Sequence, residues 1–275
     1  MSKASSLVEP YIINIIIILV SVLALFSFYL KNQSANMRIV KNEAVLHLES
    51  LGAQIDARVG QMKMISKSLA NDAHIHAWLE GDFAKVHEST LVDKLRFYVN
   101  EYDLTSTSFA DKNTHKYWNH EGFLRKLNPE IDTWYYRYLA SNDQDLISIY
   151  HDKNKNRVDL YVNYQQSDSN GLSGIATSFN SVLDKLNESI FAQYGKVYLA
   201  DRTGTIHMQS AGEKVAQNLN LTDIFGEEKT KQLLGIDSYQ VSMFLPHKTR
   251  VTVSSYIPNM DWYVVADFEK AAFLP

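Results

Sequence analysis

A chain of 275 residues, 45% of them hydrophobic, has ample material for a buried core, and a net charge of −4 argues against nucleic acid, whose binders carry a basic stripe. The absence of cysteine removes disulfides, thiolate nucleophiles and Cys-ligated zinc together. The first element in chain order is Tyr11 to Leu30, YIINIIIILVSVLALFSFYL, interrupted only by Asn14, Ser21 and Ser27. It has about the twenty residues needed to cross a hydrocarbon layer of about 30 Å. Tyr29, Leu30 and Lys31 follow where a cleavage site would need small residues, so the segment reads as an uncleaved anchor and the membrane as a partner. Lys3 precedes the span and Lys31, Arg38 and Lys41 follow it, a count that by itself favours keeping the following part in the cytoplasm.

From Ser34 to Leu79 there is no proline, and Ile39, Val45, Leu46, Leu48, Leu51, Ile55, Val59, Met62, Ile65 and Leu69 recur at helical spacing. One amphipathic stalk helix is expected, with Glu43, Gln54, Asp56 and Lys63 on its other faces and a parallel homodimer formed through it. Leu91 to Tyr102 reads as a further helix. The five residues Ala110-Asp111-Lys112-Asn113-Thr114 are echoed by Ala200-Asp201-Arg202-Thr203-Gly204, each between β-prone runs, which predicts two hairpins and two related sheet lobes in tandem. In the first lobe, Leu146–Tyr150 and Val158–Tyr164 read as paired strands and Gly171–Phe179 as another, followed by a linking helix over Asn180–Tyr194. The second lobe has strands at Lys196–Ala200, Thr205–Gln209, Tyr239–Leu245, Thr249–Ile257 and Trp262–Asp267, expected as a five-stranded antiparallel meander, with a helix over Leu221–Leu234. The closing FEKAAFLP reads as the approach to a second membrane span.

No GxSxG, P-loop, HExxH or GxGxxG motif occurs, so no catalytic residues and no cofactor are expected, and an anchored hydrolase is disfavoured. His74 and His76 form an HxH pair with no further ligand at a metal-binding spacing, so no metal is expected. The histidines at 115, 120, 151, 207 and 247 read as exposed loop residues, and Glu227-Glu228 as polar surface. The densest aromatic run is Trp134, Tyr135, Tyr136 and Tyr138. Consecutive helical residues cannot face one way, so about half should be core and half line a cavity. Tyr150, Asp152, Tyr161 and Asn163 on neighbouring strands, and Phe109, Tyr117 and Trp118 on the first hairpin, are further candidates for that lining.

Trp134-Tyr135-Tyr136-Arg137-Tyr138, Ile149-Tyr150-His151-Asp152, Gly171-Leu172-Ser173-Gly174-Ile175-Ala176, Val197 to Gly204 and Met260-Asp261-Trp262-Tyr263-Val264-Val265 together resemble the double Cache sensor domains of bacterial receptors, over nearly the whole chain. The fold class this implies is α+β: an N-terminal transmembrane helix, a long stalk helix and two tandem PAS-like antiparallel-sheet lobes. Its segments would be 1–33 (tail and transmembrane helix), 34–89 (stalk and connector), 90–194 (membrane-distal lobe) and 195–275 (membrane-proximal lobe). The resemblance implies a periplasmic sensor held in the bacterial inner membrane, a small-molecule pocket in the distal lobe and an often empty proximal lobe, and it overrides the charge count around the span. It also implies an output across the membrane: a diguanylate cyclase making cyclic-di-GMP, a histidine kinase or a chemotaxis module, the cyclase-linked group being nearest in NDAHIHAWL and TWYYRYLAS.

One departure bears on the ligand. Amino-acid-binding members commonly have arginine two residues before the tryptophan, where this chain has Asp132, so an α-amino acid is disfavoured. A carboxylate could be held by Arg137 or Lys116, and a cationic amine by Asp132, Asp152 and Asp159 with the aromatics. Both classes of small polar metabolite stay open. The candidate ligand-binding set is Phe109, Lys116, Trp118, Trp134, Tyr135, Arg137, Tyr138, Tyr150, Asp152, Tyr161 and Asn163. The rival reading is a sensor that docks a periplasmic binding protein and leaves the pocket empty.

Overall fold

The computed structural model describes residues 5–81, 85–152, 157–166, 168–210, 219–235, 243–247 and 249–273. Its axis is α1 (Ser5–Ala70), one helix of 66 residues, about 99 Å long at 1.5 Å per residue. Ile16 to Leu30 are exposed on every side, and by length and hydropathy the apolar end of α1 that contains them can cross a membrane. From Val40 onward one stripe becomes buried (Val40, Ala44, Leu48, Leu51, Ile55, Val59, Met62, Ile65 and Leu69), in steps of three and four residues. The predicted helix runs on to Leu79, but α1 stops at Ala70. Asp72 accepts hydrogen bonds from the Ile75 and His74 amides and caps α2 (Ala73–Glu80), so the chain starts a new helix there. Lys94 of α3 (Lys85–Glu101) pairs with the same carboxylate and fixes the corner.

Two antiparallel sheets flank α1. The first contains β1 (Ser106–Asp111), β2 (Lys116–Asn119), β3 (Gly122–Lys126), β4 (Asp145–Asp152), β5 (Arg157–Gln165) and β6 (Gly171–Ser178), in spatial order β3-β2-β1-β6-β5-β4. The helix α4 (Thr133–Ser141) lies between β3 and β4 in sequence. The second contains β7 (Gly195–Asp201), β8 (Ile206–Gln209), β9 (Met243–Pro246), β10 (Arg250–Ile257) and β11 (Trp262–Glu269), in order β8-β7-β11-β10-β9. The expected meander is therefore corrected: the last strand, β11, inserts between β7 and β10. It can do so because Gly195 has no side chain, a Cβ there standing only 2.0 Å from the Asp267 carbonyl oxygen. Residues 239–242 of the predicted strand lie outside the described residues.

Without β3, the two sheets have one topology, a hairpin whose first strand pairs with the last strand of its own lobe. The echoed pentapeptides are the turns of these hairpins. The Asp111 carboxylate accepts from the Thr114 amide and hydroxyl, and Asp201 accepts from the Thr203 amide and hydroxyl and the Thr205 amide. The predicted linking helix is two, α5 (Asn180–Glu188) and α6 (Ile190–Tyr194), broken at Ser189, and the predicted 221–234 helix is α7 (Leu221–Phe225) and α8 (Glu227–Leu233), broken at Gly226 with φ 79°. Each sheet gives one face to α1: Phe109, Leu160, Val162 and Ile175 from the first, Val251, Val253, Ile257 and Val264 from the second, in a single continuous core.

The stalk holds each lobe by a polar contact of its own. Arg58 donates to the Tyr102 and Asp103 carbonyls at 3.0 and 3.3 Å and to the Thr177 hydroxyl at 2.9 Å, all in the first lobe. Buried Asp56 accepts from the amide and side chain of Asn259 in the β10–β11 turn, at 2.7 and 2.8 Å. Higher up, the Ser66 and Ser173 hydroxyls meet at 2.7 Å. Lobe two thus touches α1 at Gly52 and Asp56 and lobe one at Arg58, Lys63 and Ser66. The first lobe is therefore the one further from the apolar end.

Candidate functional site

On the face of the first sheet turned away from α1 lies a cavity of about 730 Å³. Its floor is a cross-strand row. Leu146 pairs with Asn163, Asn163 with Gly174 and Gly174 with Ser108. Gly174 is required by close approach, since a Cβ there would stand 2.6 Å from Asn163 Oδ1 and 2.7 Å from Ser108 Oγ. With hydrogen in that place, the Asn163 amide and the Ser108 hydroxyl both border the cavity. A second row places Ser148 opposite Tyr161, and strand alternation sends Leu160, Val162 and Tyr164 to the core of the stalk side while Tyr161 and Asn163 face the cavity.

The helix α4 forms the opposite wall. Trp134, Tyr138 and Ser141, spaced four and three residues apart, line the cavity together with Arg137. Tyr138 is fixed by its hydroxyl, which donates to the Gln144 carbonyl at 2.5 Å, and burial pushes its pKa up, so it stays a neutral donor. Burial likewise raises the hydroxyl pKa values of Tyr117 and Tyr161. Two guanidinium groups reach the cavity and they differ. Arg125, from β3, is engaged by the buried Asp132 in a two-pronged pair at 2.5 and 2.8 Å, and Asp132 also accepts from the Asn128 amide. The hydrogen bonds from Arg125 hold the Asp132 carboxyl below the usual carboxylate range. Arg137 is exposed, donates only through Nε to the Thr133 carbonyl at 3.3 Å, and has no ion-pair partner among the described residues.

Of the sequence-derived candidates, Trp134, Arg137, Tyr138, Tyr150, Tyr161 and Asn163 are brought together on this cavity. Four others stand elsewhere. Phe109 is fully buried toward the stalk, and Trp118 packs edge-on against Trp78 at 5.0 Å. Lys116, two residues from Trp118, shares its side of β2 by alternation. Tyr135 is on the buried face of α4, with its hydroxyl 3.2 Å from His115 Nδ1. Asp152 ends β4, and its side chain lies outside the described residues. Of the other carboxylates considered for an amine, Asp132 is taken by Arg125, and Asp159 accepts from Arg157 and Thr105. The lining also includes Ser108, Arg125, Ser141, Asp143, Leu146, Ser148 and Ile149, which sequence reasoning missed, and Tyr117, which it had weighed.

No group of three or more metal-ligating side chains occurs among the described residues. His76 bonds to the Ala70 carbonyl at 2.8 Å and the Ser169 hydroxyl at 3.2 Å. The expectation of exposed loop histidines is corrected for three of the five. His115 and His120 are half-buried, and half-buried His207 stacks on Trp262 at 4.1 Å and bonds to Asp201. His247 is exposed, and the side chain of His151 lies outside the described residues.

No family model and no curated protein matches this chain. Solved structures do match in fold. A sensory domain from a Vibrio parahaemolyticus protein described as sensory box/GGDEF family superposes with a TM-score of 0.64 at 13% identity, covering 86% of this chain and 99% of that one. The extracellular domain of the histidine kinase vpHK1S-Z8 gives 0.60 at 13% identity, covering 87% and 95%. The ligand-binding domain of the Pseudomonas aeruginosa amino acid chemoreceptor PctB, in complex with L-Gln, gives 0.58 at 15% identity, covering 82% and 89%. The chain has the tandem-lobe α+β fold of these sensory domains, as the double Cache resemblance implied.

Proposed function

We propose that this chain is the sensor part of a membrane-anchored signalling receptor, and that its distal-lobe cavity binds a small metabolite bearing a carboxylate. The observation that carries the reading is Arg137, a guanidinium on the rim of an aromatic-walled cavity with no carboxylate partner among the described residues. A guanidinium binds carboxylate through two parallel donors, and Tyr138, Asn163 and Ser108 offer neutral polar groups for the rest of the ligand. Of the carboxylates first considered for an amine, Asp132 and Asp159 are already satisfied, so an amine would have to be held by Asp143, which also lines the cavity. The glutamine held by the Pseudomonas chemoreceptor also bears a carboxylate, but with Asp132 in place of the arginine of amino-acid binders a carboxylate other than an α-amino acid is favoured here. The test is a thermal-shift screen of the detergent-solubilised chain against carboxylates, amino acids and amines. A carboxylate hit at a hundredfold excess over its Kd should add about 2.7 kcal/mol. A panel without hits would favour docking of a periplasmic binding protein instead.

The same reading places 1–33 in and before the bacterial inner membrane, with the stalk and connector (34–89), the distal lobe (90–194) and the proximal lobe (195–275) in the periplasm. The output favoured is a diguanylate cyclase, supported by the resemblance in the α2 and α4 sequences and by the fold shared with the Vibrio sensory domain. It also pairs two stalks in parallel. Opposite its buried stripe, α1 exposes Ile39, Leu46, Ala53, Ala57 and Met64, separated by seven, seven, four and seven residues. Leu46→Asp is expected to weaken the dimer at least tenfold in light scattering of the solubilised chain, and an unchanged dimer would remove the stalk from the interface.

A further inference from the structure

The helix α1 leaves its apolar segment through the stretch KNQSANMRIVKN, residues 31–42, which has three cations and no carboxylate. On the orientation proposed above, Lys31, Arg38 and Lys41 are translocated while Lys3 stays behind, against the bias that keeps cations on the cytoplasmic side. A charge distribution that opposes insertion calls for a compensating interaction on the outer side. Lys31, Ser34 and Arg38 are spaced three and four residues apart, so they share one helix face. With Leu30 and Ala35 they line an open groove of about 450 Å³. Lys31 and Arg38 are exposed and have no ion-pair partner among the described residues. Beside it, Gln33, Asn36 and Lys270 border an adjoining groove that also includes Leu30 and Ser34.

The rise of the helix sets the depth of each group. Ser34 stands about 6 Å and Arg38 about 12 Å beyond Leu30 at 1.5 Å per residue, while a headgroup layer is about 5–8 Å thick on each side of the hydrocarbon. With Leu30 at the edge of the hydrocarbon, Lys31 and Ser34 would fall within that layer, and the Arg38 guanidinium would reach it with its stem extended back along the helix. Lys41, about 16 Å out, lies above it. We propose that this face binds the phosphodiester headgroup of an anionic lipid in the outward-facing leaflet, with Lys31 and Arg38 on the phosphate and the Ser34 hydroxyl donating to one of its oxygens. The inference rests on the membrane-anchored reading. Its chemistry, two cations and a hydroxyl around a phosphate, is shared with free phosphate.

The test uses native mass spectrometry of the full chain in detergent, titrated with short-chain phosphatidylglycerol, phosphatidylcholine and inorganic phosphate, alongside vesicles washed with alkaline carbonate. Retention of phosphatidylglycerol over phosphatidylcholine is expected, with the preference lost by about 25-fold in Lys31→Gln/Arg38→Gln, about fivefold for each cation near a charged surface. Lys41→Gln should retain the preference, and both variants should keep the wild-type melting temperature because these side chains are exposed. Equal retention of the two lipids, or a preference that survives the double substitution, overturns the proposal. Displacement of the lipid by millimolar inorganic phosphate assigns the face to free phosphate and overturns the lipid assignment. Release of the chain by carbonate overturns the anchored reading itself, whereas a chain that stays in the vesicles without lipid preference overturns this inference alone.

Discussion

Replacing Arg137 by glutamine is expected to weaken binding of a carboxylate ligand by about 10- to 100-fold, because a hydrogen bond to a charged group contributes about 1.5–3 kcal/mol. The melting temperature of the unliganded chain should not move. Arg137 is exposed and makes only a long contact to Thr133 within its own helix, so the fold does not depend on its charge. Arg125→Gln separates the two roles. That substitution leaves the buried Asp132 carboxylate with the Asn128 amide and no guanidinium, and should lower stability by about 1–3 kcal/mol even without ligand. Calorimetric titration with the ligand from the thermal-shift screen, combined with melting of both unliganded variants, distinguishes the outcomes. If Arg137→Gln binds as tightly as wild type, the carboxylate is held elsewhere and the reading of the rim is wrong.

The second large effect is expected at the stalk. Asp56→Ala removes two hydrogen bonds to a buried carboxylate and leaves the Asn259 amide without its acceptor, a loss of about 2–4 kcal/mol. The damage should be local to one lobe. In hydrogen exchange, the β10–β11 turn should open while β6 stays protected, because the first lobe is held by Arg58 and Ser66 instead. Arg58→Ala should show the reverse, with faster exchange around Tyr102, Asp103 and Thr177. An Asp56→Ala protein with unchanged denaturation midpoint would mean that the apolar stripe alone docks the second lobe. Gly60 lies against the same Asn259 side chain, with a Cβ placed there 2.9 Å from its nitrogen, so the stalk has little room to shift at this contact.

The parts of this architecture that were legible in the sequence are those governed by periodicity. The buried stripe of α1, the alternation in β5 that turns Tyr161 and Asn163 one way and Val162 the other, and the half-and-half division of the Trp134–Tyr138 run follow from spacings of three to four and of two. Pairing partners are not encoded that way. Nothing local in Trp262–Asp267 says that this strand sits beside β7, about sixty residues earlier in the chain, because that contact depends on the bare backbone of Gly195. Helix breaks were missed where the signal was a single capping residue: Asp72 within an otherwise continuous apolar pattern, and Gly226 between two short runs. In the cavity, Phe109 and Trp118 attracted attention as aromatics although alternation turns both to the opposite face of the sheet, where Trp118 meets Trp78 of α2, while their small or polar neighbours Ser108 and Tyr117 form the lining. Arg125 escaped because GFLRK has no amphipathic pattern and its partner Asp132 is seven residues further on.

Because α1 is unbroken from Ser5 to Ala70, on the membrane-anchored reading proposed above the azimuth at which it meets the lipid is tied to the azimuth of the lobes. Each residue turns the rod by about 100°, so adding one between Leu30 and Val40 would swing the membrane segment by that angle relative to the lobes. Two would turn it most of the way round to face backwards, and seven would restore the alignment to within about 20°. On that reading the helix between membrane and sensor acts as a keyed shaft, in which length counts modulo the helical repeat and a single deletion turns the anchor against the lobes by more than a quarter turn.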